Sequence, residues 1–263
     1  MTPAAPAMQI VILGSGTCVP SLARSACAIL AVTPTQHILL DVGPGTLRRL
    51  LEAGHDMALV DHIFLSHFHP DHTGELASFL FASKYPASHR RTAPLHLAGG
   101  PGMTDFFKRL EWLYGPWVRL DENRFRLTEW RPGPSEALTE GDIVIQTAPV
   151  AHNPESVAMR LSRPNGPSMV YSGDTAPCEA LVKLAEGADL LICEAAAPAG
   201  QTVPGHMSPA EAGDIATRAR VGHLMLTHFY PECDREDPVS DARRSWKGPL
   251  TLATDLLRLT LSR

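Results

Sequence analysis

Ser66-His67-Phe68-His69-Pro70-Asp71-His72-Thr73-Gly74 sets three imidazoles and one carboxylate within six consecutive residues. No ordinary surface loop needs that density of metal-capable side chains. Just upstream, Ile63-Phe64-Leu65 is apolar enough for a buried strand, so Asp61 to Ser66 is read as the strand that feeds the cluster. Downstream, Glu75 to Phe81 has the apolar spacing of a helix. The cluster therefore lies on a strand-to-helix turn, where side chains converge at the open end of a sheet.

Outward from that turn, strands and helices alternate. Gln9–Leu13, Ala26–Val32, His37–Leu40, Leu95–Ala98, Asp142–Ala148, Val157–Leu161, Ser168–Ser172, Ala188–Cys193 and His223–Thr227 read as further strands. Gly14-Ser15-Gly16-Thr17 reads as a tight turn, because neither phosphate-loop pattern is complete. Thr46–Ala53, Met103–Tyr114, Glu179–Ala185 and Ser208–Arg220 read as helices, the last with a capping box from Ser208 to Glu211. A helical Thr254–Leu257 segment is expected near the end, and residues 115–135 resist assignment. About ten strands interleaved with helices favour a layered α/β chain. With no evident linker or repeat, residues 1–263 are expected to form one domain.

Composition narrows the function classes. With 44% hydrophobic and 19% charged residues the chain matches soluble globular proteins. A net charge of −5 excludes a general polyanion binder. Local basic groups at His89-Arg90-Arg91 and at Arg243, Arg244 and Lys247 read as solvated faces. Five scattered cysteines without a C-x-x-C pair fit a reducing compartment. Met1 to Ala7 lacks the charged and apolar regions of a signal peptide, and no apolar run is long enough for a membrane span. A cytoplasmic location without membrane association is expected.

Polar residues recur just after strands: Asp41, His67, His152, Asp174, Glu194 and His228. One shared sheet edge would bring them together. The candidate ligands His67, His69, Asp71, His72, His152, Asp174 and His228 are too many for one tetrahedral zinc. They suit two metals bridged by a carboxylate, which clamp both the attacking and leaving oxygens. Imidazole and carboxylate without thiolate favour zinc, with manganese or iron as alternatives.

The H-x-H-x-D-H run resembles the signature of the metallo-β-lactamase superfamily, and the downstream order His, Asp, His is similar too. Gly14-Ser15-Gly16 with Pro20 and Arg24, Asp41-Val42-Gly43-Pro44-Gly45-Thr46, Leu191 to Ala196, Gly205-His206-Met207-Ser208 and Leu226-Thr227-His228-Phe229 resemble the ribonuclease Z branch. The resemblance implies an αββα sandwich with a dinuclear site at one edge. It implies that His67, His69 and His152 hold one metal, that Asp71, His72 and His228 hold the other, and that Asp174 bridges them. Asp71 would also orient or deprotonate the bridging water. Asp41 would fix a ligand imidazole through its other nitrogen. Glu194 and His206 match the branch's Glu–His pair, which helps protonate the leaving oxygen.

The chain also departs from that branch. Only 22 positions separate His152 from Asp174, room for a hairpin but not for a long substrate-binding arm. Tyr230-Pro231-Glu232 stands where the branch carries a basic residue and Tyr, and Pro44 where an acidic residue is common. The expected function is a metal-dependent phosphodiesterase acting on a small or nucleotide-like diester by metal-activated hydroxide, with structured RNA not favoured. Hydrolysis of a lactone, aryl sulfate or β-lactam is the alternative within hydrolases. A non-catalytic metal- or ligand-binding sensor is the alternative outside them. His37, His55, His62, His89, His96 and His223 are read as structural, and Cys178 and Cys193 as small buried hydrophobes. Phe106, Phe107, Trp112, Tyr114 and Trp117 are read as core, with a hydrophobic lid or a homodimer surface as the alternative.

Overall fold

The computed structural model describes residues 7–85, 90–131, 137–197 and 203–262. Two seven-stranded sheets lie face to face. The first runs in the order β14 (Arg258–Leu261), β1 (Met8–Gly14), β2 (Ala28–Val32), β3 (His37–Leu40), β4 (His62–Leu65), β5 (Leu95–Gly99), β6 (Phe125–Glu129). The second runs β13 (Leu250–Leu252), β12 (Leu224–Thr227), β11 (Leu190–Glu194), β10 (Ser168–Tyr171), β9 (Val157–Ser162), β8 (Ile143–Pro149), β7 (Leu138–Glu140). Helices α1 (Thr46–Glu52), α3 (Leu76–Ala82) and α4 (Met103–Tyr114) cover the first sheet, after the single turn α2 (Pro70–Thr73). Helices α5 (Glu179–Ala185), α6 (Pro209–Ala219) and α7 (Pro238–Ala242) cover the second. The architecture is the αββα sandwich.

The unbroken apolar runs follow from this layering. A strand buried on both faces needs no polar alternation. Met8, Ile10 and Ile12 of β1 enter the core between the sheets, while Val11 and Leu13 meet the helices outside. In β10, Met169 and Tyr171 face inward and Val170 packs under the helices. The capping box of α6 is formed as expected, with Ser208 and Glu211 each accepting from the other's backbone N–H. No helix among the described residues is long and apolar enough to cross a membrane.

Several expectations need correction. Thr254–Leu257 is a turn, not a helix; Leu256 sits at φ 67° and β14 follows at once. The Asp255 carboxylate accepts from the backbone N–H of Ser15 and Ser25 and from Arg49, so tertiary partners hold this turn open. The single helix expected over residues 75–81 is preceded by its own short turn, α2. Arg91 is not on a solvated face: it is buried, and its guanidinium donates to the carbonyls of Met57, Ala58, Val60, Ala93 and Pro94. His89 and the Pro/Ala-rich residues 1–6 lie outside the described residues. The aromatic group divides: Phe107 is core and Phe106 half-buried against it, but Trp112 is 87% exposed and Trp117 53%.

Candidate metal centre

The candidate site residues follow strands of both sheets rather than one shared sheet edge, and they meet where the two sheets face each other. Asp41 follows β3, the His67–His72 run follows β4, and His152 comes after β8. Asp174 follows β10, Glu194 ends β11 and His228 follows β12. Strands β3 and β4 are parallel, as are β10, β11 and β12, so their carboxyl ends share one side. Ligands collect in that crevice in open α/β sheets. Asp41 and His228 both sit at φ 62°, an uncommon backbone for residues other than glycine. The sheets close on each other here. The Val157 N–H donates to the Ser66 carbonyl at 2.9 Å, and a Cβ on Gly173 would lie 2.8 Å from that of Ser66.

Two donor sets face each other across Asp174. Its Oδ2 lies 3.6 Å from His67 Nε2 and 4.0 Å from His152 Nε2. Its Oδ1 lies 3.3 Å from His72 Nε2 and 3.4 Å from His228 Nε2. His69 Nδ1 is 3.4 Å from His152 Nε2, completing the first set. Asp71 Oδ2 is 3.6 Å from His228 Nε2 and 3.8 Å from His72 Nε2, completing the second. Each carboxylate oxygen of Asp174 thus serves a different set.

Hydrogen bonds fix which nitrogen each ring presents. Asp41, fully buried, accepts the Ser66 N–H on Oδ1 at 2.7 Å. Its Oδ2 accepts from Ser66 Oγ at 2.8 Å, His72 Nδ1 at 2.7 Å and the Tyr171 hydroxyl at 2.7 Å. Having spent its proton on Asp41, the Ser66 hydroxyl accepts from His67 Nδ1 at 3.0 Å. His152 Nδ1 donates to the Gly205 carbonyl at 2.9 Å. His67, His72 and His152 therefore all turn the lone pair of Nε2 into the same space. His69 Nε2 lies 3.1 Å from the Asn153 side-chain amide, and His69 Nδ1 is the nitrogen that faces His152.

Electrostatics follow the crowding. Burial, reinforced by His72, pushes His67 down to about 2. His72 is raised well above an ordinary histidine: burial lowers it, but Asp174 and Asp41 outweigh that. Burial raises Asp71, yet a hydrogen bond with His228 and the charge of His72 hold it down at about 2. Asp174 stays well below the usual carboxylate range, because His228 and His72 overcome its burial.

The donors suit a divalent cation in each set. Tetrahedral ligands about 2.0–2.1 Å from zinc lie roughly 3.3–3.4 Å apart, close to most separations here. His67 Nε2 and Asp174 Oδ1 are buried with no hydrogen-bond partner among the described residues, an expensive arrangement unless something else satisfies them.

Glu194 and His206 stand beside the two sets. His206 Nδ1 lies 2.9 Å from Glu194 Oε1, which also accepts the Thr175 N–H at 2.7 Å. Oε2 accepts the N–H of Ala196 at 3.1 Å. The carboxylate is therefore fixed by backbone and in turn fixes the ring. Burial lowers His206, but its bond to Glu194 and that carboxylate's charge raise it more. The ring stacks on His228 with centroids 5.7 Å apart, and one of its nitrogens falls within 4.8 Å of ligand atoms of Asp174 and His228.

Sequence reasoning missed Tyr171, Asn153 and the Gly205 carbonyl. Tyr171 reads as an ordinary strand aromatic, and only the packing of one sheet on the other aims its hydroxyl at Asp41. A cleft of about 380 Å³, lined by Thr17–Ser21, Arg24–Ala26, Pro44, Gly45, Pro70 and Asp71, opens beside the second set. Loops brought from three parts of the chain make it.

A family model described as the beta-lactamase superfamily domain matches residues 36–229. An uncharacterized protein of Mycobacterium tuberculosis is 35% identical over 249 residues, 92% of this chain and 88% of the relative. A ribonuclease Z of Methanothermobacter thermautotrophicus is 28% identical over 300 residues, 95% of each chain. The metallo-beta-lactamase fold protein YhfI from Bacillus subtilis matches with a TM-score of 0.82 and 25% identity, over 97% of this chain and 99% of that one.

Proposed function

The chain belongs to the metallo-β-lactamase superfamily, in its ribonuclease Z-like branch, and from that premise we propose that it is a metal-dependent phosphodiesterase acting on a small or nucleotide-like diester. Residues 1–263 are taken as one domain of this fold. His67, His69 and His152 would hold one divalent ion, and Asp71, His72 and His228 the other, with Asp174 between them. Two such ions, zinc before manganese or iron, supply Lewis acidity and a nucleophile from water at neutral pH.

The protein's own residues then have separable tasks. Asp71 borders the cleft and can accept the proton of an attacking water. Asp41 and Ser66 hold the imidazoles in the tautomers that face the site. His206, whose protonated form the Glu194 carboxylate favours, can deliver a proton to the departing oxygen. The observation that carries the reading is the division of the Asp174 oxygens between two donor sets, with a Glu–His pair adjoining both.

A small substrate is favoured by what surrounds the site. Between His152 and Asp174 the chain forms only β9, β10 and their tight turn, with no projecting arm to grip folded RNA. The adjoining cleft of about 380 Å³ lies within the size of small-ligand pockets. A diphosphatase of the PhnP family and yeast PDE1 share the fold at 18% and 14% identity. Likeness to them supports the fold alone.

A chromogenic panel tests the proposal: a bis-aryl phosphate, an aryl phosphate, an aryl sulfate, a lactone and a cephalosporin, each with and without chelator. The diester should be turned over, with activity lost on chelation and in His69→Ala and reduced in His206→Ala. Turnover of the lactone alone would refute it.

A further inference from the structure

A second group of donors lies at the other end of β4, away from the metal centre. His62 opens β4 and pairs in register with His96 of β5, which pairs with Arg126 of β6. These residues point into the space between the sheets, as do Phe64 and Ala98 two positions on. Glu140 of β7 meets them from the opposite sheet.

We propose that His62, His96 and Glu140 form an accessory site for a transition-metal dication, with zinc the ion best suited to two imidazoles and a carboxylate. One ligand atom from each residue lies within 4.8 Å of the other two. His62 Nδ1 and His96 Nδ1 are 3.4 Å apart, and His96 Nδ1 is 3.7 Å from Glu140 Oε1. A tetrahedral zinc sets its ligands roughly 3.3–3.4 Å apart, so the ion fits with small adjustments.

His96 is already prepared for the role. Its Nε2 lies 2.9 Å from Thr128 Oγ1, and Arg126 donates to its Nδ1 at 2.7 Å. An Nδ1 that accepts from a guanidinium carries the lone pair, so the proton sits on Nε2 toward Thr128. That is the hydrogen bond by which a metal-binding imidazole is usually oriented. Burial lowers both His62 and His96, the latter to about 3, so both rings are neutral and able to ligate at physiological pH.

The ligand atoms already engage one cation, which a metal ion would displace. Arg126 also contacts Glu140, so one positive group already bridges a lone pair and a carboxylate here. Its side chain is 52% exposed and can withdraw into solvent. A cleft of about 490 Å³, lined in part by Asp61, Gln36, His62, His96 and Glu140, gives an ion and a completing water access from outside. Bound there, the ion would join β4 and β5 of one sheet to β7 of the other.

Metal counting tests the site without reference to activity. Protein loaded with zinc(II), freed of unbound ion by gel filtration and analysed by inductively coupled plasma mass spectrometry, should hold one ion per chain more than His96→Ala. Glu140→Gln, which changes an edge-strand side chain, should lose the same ion and stands in should His96→Ala fail to fold. His69→Ala, altered only at the dinuclear centre, should retain it, so a failure of that centre and of this one are told apart. Anomalous scattering from a zinc-soaked crystal should place a peak between His62 and His96. Equal zinc in wild type and in folded His96→Ala or Glu140→Gln would overturn the proposal. So would an ion gained only in Arg126→Ala, which would make the guanidinium the resident cation.

Discussion

Ser66→Ala tests the hydrogen-bond relay most directly. The Ser66 hydroxyl is one of four donors on the buried Asp41 carboxylate and accepts from His67 Nδ1. Losing a hydrogen bond to a charged acceptor removes about 1.5–3 kcal/mol, and leaving a buried imidazole N–H unpaired costs about 1–3 kcal/mol. A sum of roughly 2.5–6 kcal/mol lowers the melting midpoint by about 5–24 °C in a chain of this size class. The effect on metal should be one-sided. His67 loses the partner that fixes its tautomer, so its ion should bind about 10–100-fold more weakly. His72 keeps Asp41 on Nδ1, so the other ion should change little. Thermal unfolding measures the first effect. Titration of zinc against a chelating dye measures the second, with the two ions separating into a weakened and an unchanged phase. A variant that melts within about 2 °C of wild type and binds both ions equally would show that the relay does not position His67.

Two further outcomes concern Gly173 and His96. Gly173→Ala should destabilise by about 1–3 kcal/mol in urea unfolding, because φ is 57° and the new Cβ would sit 2.8 Å from that of Ser66; a neutral result would mean the sheets separate more easily at this edge than the geometry implies. His96, lowered first by burial and then by Arg126 to about 3 from an ordinary 6.5, contributes stability that is complete above pH 6.5 and lost as pH falls toward 3. The unfolded chain takes up the proton first in that window, so the contribution amounts to roughly 4–5 kcal/mol at most. Urea unfolding of chelator-treated protein between pH 7 and pH 4 should show a shallower pH slope in His96→Leu, and an unchanged slope would refute the assignment.

The fold was legible wherever a segment is buried on two faces. Ile10–Leu13, Ile38–Leu40 and Leu190–Cys193 are apolar without a break, because a sheet core lies on one side and helices on the other. Edge strands carry no such mark. Phe125–Glu129 and Leu138–Glu140 each end a sheet, are half exposed, and read as unassigned chain. The Thr254–Leu257 turn looked helical because its open conformation depends on Ser15, Ser25 and Arg49, over two hundred residues earlier. Arg91 looked like a surface charge because its five carbonyl partners converge only after folding. At the site, residue type and order exposed the candidate ligands, since few other roles call for histidines in that density. The residues that orient them did not stand out: a buried tyrosine, a backbone carbonyl and an asparagine become partners only through the packing of one sheet on the other.

The split of the donors between the sheets also bears on how the chain assembles. One β4–α2 turn brings His67, His69, Asp71 and His72 together through local contacts that form quickly. Their partners His152 and His228 are separated from them by 83 and 156 positions. Loops of that length close slowly, and contacts across them come late in folding. A dication added during refolding would therefore meet a half-built site first and gain its full affinity only when the sheets dock. Metal uptake becomes a clock for that docking step, and the lag between secondary structure and tight zinc binding would time the moment when two independent sheets become one protein.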